Sequence, residues 1–334
     1  MASDSTTLSA AAPDVQSSTP ATGISLSRVG VTGVEKVIRV NANGSEDLYH
    51  ADFKCLVDLN PRQAGVHMSR FEEIVGEAID EVVLGEAFRA EVLAAHIAER
   101  VRERQGGLRA EVSVTARYPE TVTTPASNQQ TQEIYVLFGT AVASLRGTRT
   151  LTGVQAQGMT ACPCAQEMVG GLARERLAER GFDPEQIELA LEAVPVATHN
   201  QRGIGTLHIG CPEGGPAWID APELLRIVEQ SMSSEIYELM KRPDELAVVA
   251  KAHSQPRFVE DCVREMLRRV VEDYPDLPGE AFVMARQENL ETIHRHNVIA
   301  ERYGKLDDLR AELESGEHQR RHTTVREWLE APAT

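Results

Sequence analysis

Five short stretches of this chain carry side chains able to do chemistry. Cys162-Pro163-Cys164 sets two thiols around a proline, ahead of a helical-looking Gln166-Glu167-Met168-Val169. A thiolate at a helix N-terminus is favoured by the helix dipole and makes a good metal ligand or nucleophile. The spacing is not the Cys-x2-Cys knuckle of structural zinc and no second pair follows, so the segment alone also suits two small buried residues at a turn. Thr198-His199-Asn200-Gln201-Arg202-Gly203 concentrates hydrogen-bonding side chains before a glycine. Loops carry sites, and a buried polar cluster would need every group satisfied, so His199 is a candidate metal ligand or general acid–base group. A solvated turn is the plain alternative.

His294-Arg295-His296 places two imidazoles two residues apart. On an extended strand such residues share a face, so both rings would approach one metal or one substrate, and the preceding residues 281–284 favour a strand. In Lys241-Arg242-Pro243-Asp244-Glu245 the proline suits a first helical turn and the acids suit its dipole, so capping is the simple reading. The functional alternative makes Glu245 a ligand or acid–base group and the two cations phosphate contacts. Glu260 lies on the flank of the apolar stripe Val259, Cys262, Val263, Met266, Val270. Its carboxylate is therefore expected to be partly buried, and to need either an arginine of the fold or the donor edge of a ligand.

The elements that must position these groups follow from periodicity. Val37-Ile38-Arg39-Val40 and residues 53–57 are strand-like and flank the turn-forming Asn41-Ala42-Asn43-Gly44, which predicts a hairpin. From residue 69 to about 104 apolar residues recur at three and four, as in Phe71, Ile74, Val75, Ala78, Ile79, with Gly85 dividing two helices. Strand-like alternation returns over 110–114 and 134–143. The second half repeats the order loosely: a strand before Cys162, helices within 166–193, a strand near 206–209, helices over about 222–240 and 258–271, and strands after Ala281. The economical architecture is α+β: two modules, each an antiparallel sheet packed by a pair of helices. The expected organisation is a flexible tail over 1–24, an N-terminal module over 25–155, a C-terminal module with the metal site over 156–315, and a tail over 316–334.

Composition limits the function. Hydrophobic content of 42% with 25% charged residues is that of a folded protein. A formal charge of -17 argues against nucleic acid or an anionic membrane as partner, because the mean field repels phosphates. A small polyanion would need a local basic pocket. No window approaches the roughly 18 consecutive apolar residues of a membrane helix, and no secretory signal pattern opens the chain, so a cytoplasmic location is expected. Five cysteines, an odd number, do not make a disulfide framework, which leaves some of them for chemistry.

In this order the motifs resemble the type IB GTP cyclohydrolases, the family that includes the archaeal MptA enzymes. The carriers are Gly33-Val34-Glu35-Lys36, Gly65-Val66-His67-Met68-Ser69-Arg70, Cys162-Pro163-Cys164, His199-Asn200-Gln201-Arg202-Gly203, Lys241-Arg242-Pro243-Asp244-Glu245, Phe258-Val259-Glu260-Asp261 and Ile293-His294-Arg295-His296. The resemblance implies tandem tunnelling-fold modules, a homotetramer with sites near subunit contacts, and GTP as substrate. It implies one divalent metal per site, Fe²⁺, Mn²⁺ or Zn²⁺, at Cys162, His199, Glu245 and His294, with His296 the less certain neighbour. Cys162 and His199 are the implied catalytic pair, and Glu260 the carboxylate that anchors the guanine. His67, Ser69, Arg70, Arg202, Lys241 and Arg242 are the implied ribose or phosphate contacts. The implied reaction opens the guanine imidazole ring at C8, releases formate and forms 7,8-dihydroneopterin triphosphate, the first step of folate and pterin synthesis. The long helical insert over 170–193 and Cys262 after Glu260-Asp261 look closer to the MptA branch, whose product is the 2',3'-cyclic phosphate. A pterin synthase of the same fold is the competing enzyme reading, against which the cysteine and Glu245 argue. A non-enzymatic module with a structural metal is the reading outside catalysis.

Overall fold

The computed structural model describes residues 14–42, 45–81, 89–215, 219–317 and 319–331. The expected hairpin is there and longer than its local pattern: β1 (Leu26–Ala42) pairs antiparallel with β2 (Ser45–Leu59), from Ala42 opposite Ser45 back to Leu26 opposite Leu59. Of the predicted turn Asn41-Ala42-Asn43-Gly44, the first two residues belong to β1, and Asn43-Gly44, like the predicted helix break at Gly85, lie outside the described residues. Helices α1 (Met68–Glu81) and α2 (Ala90–Gln105) follow, then β3 (Arg109–Thr123) and β4 (Gln130–Ser144). The second half runs β5 (Gly147–Ala161), α3 (Pro163–Glu179), α4 (Pro184–Ala193), β6 (Asn200–Cys211), α5 (Ala221–Gln230), β7 (Ser234–Glu235), α6 (Arg242–Ser254), α7 (Val259–Asp273), β8 (Phe282–Leu290), β9 (Val298–Lys305), α8 (Leu306–Ser315) and α9 (Val325–Glu330).

The two element sets share one antiparallel sheet instead of forming two. The strand order is β1-β2-β3-β4-β5-β6-β8-β9, with β7 on β5. The fusion is local: Gly147, at φ 132°, closes a tight hairpin in which Ser144 opposes Gly147, so β5 runs back along β4. Positive φ costs glycine little, and a side chain at that position would strain the turn. One face of the sheet carries the core. Alternate residues such as Phe53 and Cys55 of β2, Val112 and Val114 of β3, Leu207 and Ile209 of β6 and Val283 and Ala285 of β8 are buried. They pack in one cluster against Phe71 and Ile74 of α1, Leu93 and Ile97 of α2, Leu224 and Ile227 of α5, and Cys262 and Met266 of α7. Each such side chain contributes roughly 1.5–3 kcal/mol on burial, which holds the helices against the strands they follow.

Three expectations about segments change. The helix expected over 222–240 stops at Gln230, because Ser231, Ser233 and Ser234 are buried and bonded elsewhere. Ser231 donates back to Ile227 O at 2.7 Å, Ser233 Oγ accepts from Ala161 N at 3.1 Å, and Ser234 opposes Met159 on β5. Serine hydroxyls compete in this way with a helix ladder. The N-terminal segment expected as a tail is tied down from Asp14: Gly65 N donates to Gln16 O and Ala64 N to Ser18 O. The C-terminal segment ends in α9, whose Trp328 is buried against Phe282 and donates Nε1–H to Glu280 O at 2.8 Å. Among the described residues no helix is long and apolar enough to cross a membrane.

Candidate active site

At one end of the sheet β5 stops, β6 starts, β8 stops and β9 starts. Ala161 opposes Asn200 there, Arg202 opposes Leu290, and Asn289 opposes Val298. Cys162 is the first residue past β5 and the N-cap of α3, with Pro163 at the first helical position and Sγ accepting from Ala165 N at 3.5 Å. Its backbone N–H donates to His199 O at 3.1 Å, and Thr198 Oγ1 donates to Cys162 O at 2.8 Å. The insert α3–α4 thus leaves and returns at one point, joining Cys162 to His199. Gln166 secures that point by donating to Val196 O and His253 O at 2.9 and 2.7 Å.

A cavity of about 430 Å³ opens here, lined by Cys162, His199, Glu260, His294 and His296, all singled out in the sequence. The two histidines arrive by a different route from the one expected. They lie in the irregular β8–β9 connection, not on a strand, and both are exposed. Their rings stack at 5.2 Å between centroids, 18° from parallel, so convergence comes from a bent loop and not from strand alternation. Glu260 is exposed in this single chain instead of partly buried. The stripe Val259, Cys262, Val263, Met266 and Leu267 faces the core, which turns Glu260 outward, to the wall between this cavity and a neighbouring one of about 590 Å³.

Beneath the cavity floor lies a polar layer that sequence reasoning missed. Gln201 of β6 and Gln287 and Asn289 of β8 are buried, and Gln287 Nε2 donates to Asn289 Oδ1 at 3.1 Å. Gly203 makes room for them: a Cβ there would come within 2.3 Å of Gln287 Nε2 and 3.0 Å of Met232 Sδ. Glu291 continues the alternation past the strand end. Its side chain is only 5% exposed, and Oε2, without a hydrogen-bond partner among the described residues, stands 3.8 Å from His199 Nδ1. The signal was present as polar residues at 287, 289 and 291, two apart, just before the histidine pair. The same nitrogen, His199 Nδ1, lies 3.0 Å from Gln201 Oε1.

Other expected site residues stand elsewhere. Arg202, next to Gln201 on β6, is exposed on the opposite face of the sheet. Lys241, Arg242 and Glu245 are exposed at the start of α6. That start is held by Asp244, which is fully buried and accepts from Ala126 N at 2.9 Å, Ser127 N at 2.8 Å, Ser127 Oγ at 2.5 Å and Lys241 N at 2.9 Å. Burial acts to raise its pKa, but these bonds outweigh it and hold the carboxyl well below the usual range. Capping is therefore what Asp244 does. His67 and Arg70 line a separate cavity of about 870 Å³ with Arg62, at the other end of the sheet, where β2 stops and β3 starts. His67 Nε2 lies 3.0 Å from Asp14 Oδ1, and Ser69 is exposed on the first turn of α1. Among the described residues no three Cys, His, Asp or Glu side chains are gathered tightly enough to hold a metal ion.

The antiparallel sheet with its helices, and a cavity lined by cysteine and histidine, give an α+β protein of the tunnelling-fold class. Among solved structures, uricase from Arthrobacter globiformis superposes with a TM-score of 0.49 at 9% identity, over 83% of this chain and 93% of that one. A hyper-thermostable AgUricase mutant gives 0.51 at 9% identity, over 84% and 92%, a likeness of fold alone. The chain belongs to the family described as type I GTP cyclohydrolase folE2, whose model it matches over residues 12–300. It is 39% identical over 309 residues to the GTP cyclohydrolase MptA of Methanococcus vannielii, covering 90% of this chain and 98% of that protein. The proteins of that name from Methanothermobacter thermautotrophicus and Haloarcula marismortui are each 41% identical over 90% of this chain, covering 96% and 97% of their own lengths. It is thus a hydrolase of the folE2/MptA type.

Proposed function

We propose that this GTP cyclohydrolase opens the guanine imidazole ring of GTP at C8 in the cavity at the Cys162 end of the sheet, releases formate and forms 7,8-dihydroneopterin triphosphate. The observation that carries this placement is the gathering of Cys162, His199, Glu260, His294 and His296 around one cavity from four separate elements. Glu260, at the cavity wall, suits the guanine edge: an ionised carboxylate accepts two hydrogen bonds at once, from N1–H and the 2-amino group. Phe258 beside it is 43% exposed and offers an apolar ring to the purine face.

By donor type the residues at the cavity fit a divalent metal, although no three of the described side chains are drawn tightly together in the single chain. The donor set of thiolate, imidazole and carboxylate suits Zn²⁺, Fe²⁺ or Mn²⁺. Glu291 Oε2, buried without a hydrogen-bond partner, is the kind of group that a nearby cation satisfies. Cys162, His199, His294 and Glu245, the last exposed in the single chain, would hold the ion, with His296 stacked on His294 as the alternative ring. Such a metal lowers the pKa of a coordinated water towards roughly 7 and supplies a nucleophile at neutral pH.

A homotetramer is part of the proposal. His67 and Arg70 sit at the Arg109 end of β3 and Cys162 beyond the Thr123 end, some 15 residues of strand apart. At about 3.3 Å per residue that is on the order of 45 Å, too far for one nucleotide to touch both. Arg202, Lys241, Arg242, Glu245 and Ser69 are exposed in the single chain, as contacts completed by a neighbouring copy must be. The work of His67, Ser69 and Arg70 on ribose or phosphate would then be done in the site of another copy.

Anaerobic incubation of the Fe²⁺-, Mn²⁺- or Zn²⁺-reconstituted protein with GTP tests the reading through formate and the mass of the pterin. Formate together with the triphosphate is expected, and absence of formate with all three metals would sink the proposal. A second reading, 7,8-dihydroneopterin 2',3'-cyclic phosphate as product, is favoured by identities of 39–41% to proteins named MptA. The pterin's mass separates the two.

A further inference from the structure

The cavity contains one group with no part in the reading above beyond its need for a cation. Glu291 sits one residue past β8, on the same face as Gln287 and Asn289, with 5% of its side chain exposed. A carboxylate taken out of water with one oxygen unpartnered is costly, and a fold retains it only where something uses it. The nearest titratable group is His199: Glu291 Oε2 lies 3.8 Å from Nδ1, and Gln201 Oε1 lies 3.0 Å from the same atom.

We infer that Glu291 is a positioning residue that acts through His199. Gln201 Oε1 is an acceptor within hydrogen-bond distance, so Nδ1 carries the proton and donates it to Gln201, while Glu291 at 3.8 Å stands beside the ring as a charge and not as a hydrogen-bond partner. The tautomer that results leaves the lone pair on Nε2, on a ring that lines the same cavity as Cys162. Gln201 fixes the plane of the ring, and Glu291 supplies a negative charge behind it that holds the ring in place as a ligand. Cys162, Arg257, Glu260, His294 and His296 are the other charged or titratable groups on the cavity. Among them none is recorded in contact with His199 Nδ1, so the pairing is specific to Glu291 and Gln201.

The inference rests on a metal at His199, and one set of titrations separates its failure from the failure of that reading. Full-length wild type, Glu291→Gln and Glu291→Ala are titrated with Co²⁺ against a competing chelator, following the thiolate-to-cobalt absorption and the ligand-field bands, with unfolding of the metal-free proteins measured alongside. Wild type is expected to show the thiolate band. Glu291→Gln should bind Co²⁺ about 10- to 100-fold more weakly with shifted ligand-field bands. Its metal-free form should be no less stable than wild type, since a neutral amide is cheaper to bury than an unpaired carboxylate. A merely structural residue would instead lower metal-free stability and leave the bands in place. Glu291→Asp, which keeps the charge, should recover part of the affinity. Wild-type affinity and bands in Glu291→Gln would overturn the inference and leave the metal reading intact. No cobalt binding by wild type would overturn both.

Discussion

Two buried carboxylates at the same end of the sheet behave in opposite ways. Asp244, at the start of α6, is fully enclosed and accepts four hydrogen bonds that tie the helix to the β3–β4 turn. Glu291, at the end of β8, is nearly as enclosed, yet one of its oxygens meets no donor among the described residues. The first has its charge satisfied by the fold and so stabilises it. The second has its charge left over, and lies within 4 Å of a histidine that lines a cavity. Burial alone therefore does not mark a functional acid. Burial together with unspent hydrogen-bonding capacity does.

The comparison can be broken or sharpened by substitution. The largest effect is expected on the Glu291 side: Cys162→Ala should abolish turnover together with tight metal binding, read by formate release and metal content. Retained activity would move the ligand away from this residue. On the other side, Asp244→Ala leaves the N–H groups of Ala126, Ser127 and Lys241 without their acceptor. It should lower stability by on the order of 3 kcal/mol in urea unfolding while leaving the metal affinity of the folded protein unchanged. A loss of affinity there would blur the division between the two acids.

Glu229 tests the middle of the range, with one donor, Tyr135 Oη–H at 2.7 Å. Burial, opposed by that bond, pushes its carboxyl from the usual 4.5 up to about 7. The folded state then keeps a proton that the unfolded chain has already lost. Stability should fall as pH rises from about 4.5 to about 7, with the full penalty above that. Glu229→Gln should therefore be more stable than wild type at pH 8, by on the order of 2 kcal/mol, and no more stable at pH 4. Thermal melts at the two pH values read this directly, and equal shifts would show that the proton is not involved. The smallest effect is expected at the far end of the sheet. His67→Ala should raise KM for GTP about tenfold with Co²⁺ affinity unaltered, and an unchanged KM would remove that cavity from the substrate's path.

Much of the fold was legible because its signals are local. The helical stripe through Phe71, Ile74 and Val75, the strand-like run Val37-Ile38-Arg39-Val40 and the strand alternation at 110–114 each predict the element found there. The sharing of one sheet was not legible, since a tight turn at Leu145-Arg146 says that two strands pair and nothing about what lies beyond them. The helix expected over 222–240 stops short at the serine run after Gln230, where serine's own propensity is only weakly against a helix. Its outcome depended on Ala161 N being available as a donor from β5.

The site divides in the same way. Residue types and order alone singled out Cys162, His199, Glu260 and the pair His294 and His296, because thiols, imidazoles and an acid in polar segments are scarce in a core. What joined them was tertiary: a hydrogen bond from Cys162 N to His199 O across the whole α3–α4 insert, and a bent loop that stacks the two histidines. The exposure of Glu260 and Glu245, and the burial of Glu291 behind His199, also waited on the structure. A sequence states which groups can accept a proton or a metal. Only the packed chain decides which of them still have a lone pair facing an open space.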